Sequence, residues 1–122
     1  MGRWRITEMD LWDSEDLDLA GPAFIEFDRD QGGCFGFVAV EATVDCREMR
    51  RGEAPGVEFT WDGFDDSTPV SGRGWATLEK NGSLRGHIFF HLGDDSGFLA
   101  VKSPDQPTPR TATAKGGSRR RT

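Results

Sequence analysis

Gly72-Arg73-Gly74-Trp75-Ala76-Thr77-Leu78-Glu79-Lys80-Asn81-Gly82-Ser83-Leu84-Arg85-Gly86-His87-Ile88-Phe89-Phe90-His91-Leu92 is the stretch that decides the fold. Asn81-Gly82 lies between two partly alternating apolar runs. That dipeptide is a strong hairpin signal, because a tight hairpin turn needs positive φ and Asn and Gly tolerate it. Residues 72–79 and 83–92 are therefore expected as paired antiparallel strands. In the second strand Ile88 and Phe90 share one face, while His87, Phe89 and His91 share the other.

Working outward, Gly93-Asp94-Asp95-Ser96-Gly97 reads as a turn and Phe98-Leu99-Ala100-Val101 as a last strand. Upstream, Val57-Glu58-Phe59-Thr60-Trp61-Asp62 alternates cleanly, and residues 63–69 turn the chain. Residues 34–44 are apolar on both faces and read as one long strand, central or covered on both sides, with a charged loop over 45–56. Ala23-Phe24-Ile25-Glu26-Phe27 is a short strand. Asp28-Arg29-Asp30-Gln31-Gly32 begins like a calcium loop, but Gly32 and Ala39 stand where oxygen ligands belong, so it reads as a turn. Residues 4–12 form a first strand whose parity slips between Ile6 and Met9, a sign of a bulge or of the strand's end. Residues 14–20 are a helical turn or acidic loop, closed by Gly21-Pro22. The expectation is an all-β fold, a six- or seven-stranded antiparallel meander closing into a barrel or curled sheet.

Charge divides the chain. Residues 1–101 carry a net −11 and residues 102–122 a net +5. The first segment is the β domain. The second has no large apolar side chain beyond position 102, cannot offset the entropy of ordering, and is expected to be a disordered basic tail. An acidic body repels phosphate, which argues against nucleic acid on the domain. The tail with its Arg119-Arg120-Arg121 cluster reads first as a solubilising extension without a partner, and alternatively as a weak tether to nucleic acid or an acidic partner or as a contact to its own acidic domain. No leader and no long apolar run is evident, and Cys34 and Cys46 fit no zinc or redox spacing. A cytoplasmic protein with free thiols, no membrane contact, no metal and no cofactor is expected.

Several stretches resemble a group of small uncharacterised bacterial proteins: Gly2-Arg3-Trp4-Arg5-Ile6, Glu8-Met9-Asp10-Leu11-Trp12-Asp13, Gly21-Pro22-Ala23-Phe24-Ile25-Glu26-Phe27, Glu58-Phe59-Thr60-Trp61-Asp62-Gly63, Gly72-Arg73-Gly74-Trp75-Ala76 and His91-Leu92-Gly93-Asp94-Asp95-Ser96. They span most of residues 2–101 and bring no activity with them. Gly2-Arg3-Trp4 also resembles the Gly-x-Trp opening of calycin barrels such as lipocalins and avidins, which favours a barrel over a sandwich.

For function, the informative residues are aromatics with polar neighbours on the face opposite the core set of Ile25, Phe27, Phe59, Trp61, Ile88 and Phe90. They are Phe24 with Glu26, Trp75 with Arg73, and Phe89 with His87 and His91. Such a second face either binds something, with Asp94 and Asp95 as an acidic rim, or is covered by the N-terminal segment and the loop around Leu17 and Leu19. The leading expectation is a non-enzymatic binding domain for a protein or small molecule. The alternatives are a small β-barrel enzyme or ligand carrier with an internal cavity, using Glu26, His87 or His91, and an acidic decoy of a nucleic-acid-binding protein. His87 and His91, four apart on a strand, would have Cα atoms roughly 13 Å apart and would not share one ion. The two Asp-Asp-Ser elements, 65–67 and 94–96, could offer oxygen ligands to a cation but read first as ordinary turns.

Overall fold

A computed structural model describes residues 2–28 and 30–103. The tail expected over 102–122 lies outside them except for Lys102, which belongs to the last strand and pairs with Trp4, and Ser103. The strands are β1 (Gly2–Met9), β2 (Phe24–Phe27), β3 (Gly32–Phe37), β4 (Val40–Arg51), β5 (Ala54–Asp65), β6 (Thr68–Leu78), β7 (Leu84–Phe90) and β8 (Asp95–Lys102), with one helical turn, α1 (Ser14–Leu17), between β1 and β2. Each strand pairs antiparallel with the next, and β1 pairs with β8, so the meander is a closed eight-stranded barrel. Closure leaves the sheet without an unpaired edge. The parity slip read in the sequence is a register shift between Ile6 and Glu8 on the β1–β8 seam.

The barrel has eight strands where six or seven were expected, and the difference lies in residues 34–56. The expected single strand over 34–44 is two strands, β3 and β4, joined by the two-residue turn Val38-Ala39, with Phe37 paired to Val40. The turn resets the parity. Phe35 and Phe37 before it and Val40, Ala42 and Val44 after it are therefore all buried in the core, and the apparently two-faced strand has one apolar face. The expected charged loop over 45–56 is the far half of β4 and the start of β5, turned by Gly52-Glu53. Three two-residue hairpins have positive φ at their first central residue: Val38 at 53°, Gly52 at 61° and Asp66 at 60°. Tight hairpins favour that conformation because it matches strand twist. The Asn81-Gly82 turn forms as expected, with Gly82 at φ 89°.

The interior is filled by side chains. Phe27, Phe35, Phe37, Phe59 and Trp61 are buried there, and the Trp61 ring meets Phe35 and Phe90 edge-on at 5.2 and 5.1 Å. An eight-stranded barrel is only just wide enough for its own side chains. Large residues consequently pair across strands with glycines: Phe59 with Gly74, Trp61 with Gly72 and Phe98 with Gly86. A Cβ at Gly74 would lie 2.7 Å from the Phe59 ring. One end of the barrel is closed by the segment from Asp10 to Gly21. Leu17 is 1% exposed, its carbonyl accepts the Val38 amide, and Trp12 stacks obliquely on Phe37 at 5.1 Å. The segment is anchored to β8 by the buried Ser96, whose Oγ accepts the Asp10 and Leu11 amides. It covers the end of the barrel and not the outer face, and Leu19 on it is 69% exposed. Trp4 stands at the other end, donating its indole N–H to the Gly82 carbonyl with the Lys102 ammonium 4.3 Å above its ring. Among the described residues no helix is long and apolar enough to cross a membrane.

Candidate functional site

Every strand alternates, so side chains that do not fill the barrel form rows on its outer wall. Cross-strand register places Asp45, Thr60, Arg73, Phe89 and Asp95 in one row running from β4 to β8. The next row toward the capped end is Thr43, Asp62 and Ser71, continued by His91, whose amide donates to the Ser71 carbonyl. On the other side run Arg47, Glu58, Trp75 and His87. The first two rows line an open trough of about 860 Å³, with Leu92 and Gly93 at one end. Strands lie about 4.8 Å apart, so five strands give a trough roughly 19 Å long, the span of five or six extended residues laid across the sheet.

The aromatics beside the trough are fixed by charged partners. The His87 and Phe89 rings are 4.5 Å apart, and the Arg73 guanidinium lies 4.6 Å from the Phe89 centroid. His87 Nε2 and Asp95 Oδ2 are 2.5 Å apart. The Arg51 guanidinium covers the Trp75 ring at 3.8 Å. Cationic groups over ring faces hold such side chains in one orientation, contributing about 0.5–1 kcal/mol each where solvent reaches them.

Of the expected site residues, His87, Phe89 and Asp95 come together, with Trp75 beside them and His91 at the trough's end. Trp75 and His87 are on the outer wall and half-buried, so they line no internal cavity. His91 is not on the strand: β7 ends at Phe90, and His91 begins the turn to β8. Asp94 lies in that turn and its carbonyl accepts the Phe90 amide. Glu26 is elsewhere, on β2, where Arg3 donates to it at 2.8 Å with the Arg3 guanidinium 4.0 Å from the Phe24 ring. That trio satisfies itself. Cys34, next to Glu26 across β2–β3, has its thiol pushed up to about 11, first by burial and then by the Glu26 charge, so it stays protonated and poorly nucleophilic at neutral pH. Asp28 caps its own turn, its Oδ1 accepting the Asp30 and Gly32 amides. Among the described residues no group of three or more His, Cys, Asp or Glu side chains is arranged to hold a metal ion.

Thr43, Asp45, Thr60 and Ser71 were not singled out from the sequence. Their signal is outward parity on β4, β5 and β6, hidden for Asp45 because residues 45–56 read as a loop. Compared with family models, curated proteins and solved structures, the chain matches none of them.

Proposed function

We propose that this barrel is a non-enzymatic binding domain whose outer trough over β4–β8 takes an extended, basic segment of a partner protein. The observation that carries the reading is the trough itself: an open site on the outer wall of a barrel whose interior is filled by its own aromatics. Its length suits a short stretch of extended chain. Thr43, Thr60 and Ser71 offer hydroxyls to a peptide backbone, Phe89 offers a ring edge, and the lining carries Asp45, Asp62 and Asp95 against Arg73. Asp45 also accepts from Arg47 of the adjacent row at 3.0 Å and Asp95 is held by His87, so Asp62 is the principal acid facing an incoming cation. Complementary charge of this kind raises the association rate and selects against acidic partners. The enzyme alternative drew on Glu26, His87 and His91, which stand in three different settings. The decoy alternative called for acids gathered on one face, whereas here they are spread over β1, β2, β4, β5, β8 and the capping segment.

The test is an amide-resolved NMR titration with a seven-residue Arg/Lys-rich peptide and its Glu-substituted counterpart. The basic peptide is expected to shift Thr43, Thr60, Asp62, Arg73 and Phe89, and Asp62→Lys to weaken it about tenfold, or ~1.4 kcal/mol. Equal response to both peptides, or shifts confined to another part of the barrel, would refute the reading.

A further inference from the structure

We infer that the trough's first occupant is the protein's own C-terminal segment, residues 104–122, which competes in cis with any external basic chain. The inference rests on the reading of the trough as a site for basic segments and adds its regulation.

Charge and chain length carry it. Residues 104–122 contain five cations, Arg110, Lys115, Arg119, Arg120 and Arg121, against one acid, Asp105, while the barrel is strongly acidic. The described chain leaves the barrel at Ser103, whose amide donates to the Arg3 carbonyl beside the β1–β8 seam. β8 is itself a trough strand: Asp95 at its start lies in the trough row, seven residues back from Lys102. At about 3.3 Å per residue that is a path of roughly 23 Å along β8.

Arg119 is sixteen residues beyond Ser103. Random-coil dimensions for sixteen residues are roughly 20–24 Å root-mean-square. Linkers whose reach matches the span give the highest effective concentrations, on the order of millimolar for short ones. The arginine cluster is thus delivered to the trough at a concentration where even a ~0.1 mM interaction is about nine-tenths occupied. A partner must displace the tail, and it binds about tenfold more weakly than it would to a barrel with the cluster neutralised. Both steps are charge-driven and fade as salt rises.

The experiment compares the full chain with the full-length variant carrying Arg119→Ser, Arg120→Ser and Arg121→Ser. In low salt the amides of Thr60, Asp62, Arg73 and Phe89 are expected to differ between the two, and 0.5 M NaCl to erase the difference. A synthetic peptide of residues 104–122, added to the variant, should restore the wild-type positions. The basic heptapeptide should bind the variant about tenfold more tightly than wild type. Identical trough amides in wild type and variant would overturn the inference. If the heptapeptide still binds the variant in that case, the proposed function stands and only self-occupancy falls. If the tail shifts the trough but no external peptide does, self-occupancy stands and the partner reading falls.

Discussion

Leu92 shows at the scale of one residue how this chain departs from the conformations its side chains prefer. It is 95% exposed and sits at φ 56°, in the left-handed region. A residue with a Cβ is disfavoured there by about 1–2 kcal/mol, and Asn tolerates the region better. Burial gives nothing back at this position. Leu92→Asn should therefore stabilise the barrel by about 0.5–1 kcal/mol, read as a higher urea midpoint at unchanged slope. Val38 has nearly the same φ, 53°, but packs against the core cluster, so Val38→Asn should lose more in packing than it gains in backbone relief. If both substitutions move stability the same way, packing of Val38 against the core is not what separates the two positions. A strained, exposed leucine at the rim of the trough is a feature stability alone would remove, and such strain gathers where surfaces are used.

At the scale of the element, β5 is the clearest case of a strand written into its sequence. Phe59 and Trp61 point into the barrel, with Glu58 and Thr60 outward between and beside them, as strict alternation requires. Trp61 is almost fully buried between Phe35 and Phe90, and its indole N–H donates to the Arg73 carbonyl. Trp61→Ala should cost roughly 3–5 kcal/mol by emptying that space and removing the indole's hydrogen bond. Glu58→Ala, one residue away on the outer wall, should cost under about 0.5 kcal/mol. Equal losses in chemical denaturation would mean the strand's inside and outside are misassigned.

The neighbouring hairpin was not legible, for physical reasons. Its turn, Val38-Ala39, contains neither Gly, Asn, Asp nor Pro, so nothing local marks it. The resulting reversal made one-sided alternation look like a strand apolar on both faces. Further on, residues 47–51 of β4 are mostly exposed on both faces, so pairing with β5, and not burial, makes them a strand. A hydrophobic pattern cannot report pairing of that kind. The candidate site inherited the same blind spot. His87, Phe89 and Asp95 were visible from parity and turn chemistry, whereas Asp45 and Thr43 become neighbours of Arg73 only through register across three strands.

For the whole molecule, the decisive property is closure. Ala100 is fully buried on β8, paired to Ile6 on one side and Leu84 on the other, so the last few described residues complete the circle. A chain ending at Leu99 loses those pairings and leaves backbone on β1 and β7 without partners, a template for association with other copies. It should lack a cooperative thermal transition or elute as large assemblies from a sizing column. A chain ending at Ser103 keeps every core residue, because the core cluster runs from Trp4 to Ala100. In 0.5 M NaCl, where docking of a basic segment is screened, its thermal midpoint should fall within about 2 °C of the full chain. In low salt the full chain should gain a few degrees over the shortened one, since an occupant that binds only the folded barrel stabilises it by mass action. A shift of more than about 5 °C that persists in high salt would mean that residues 104–122 pack on the barrel through apolar contacts, which their composition does not supply. No shift at any salt, with the Leu99-ended chain also folding cooperatively, would mean that neither closure at Ala100 nor charge on the tail bears on the stability of this barrel.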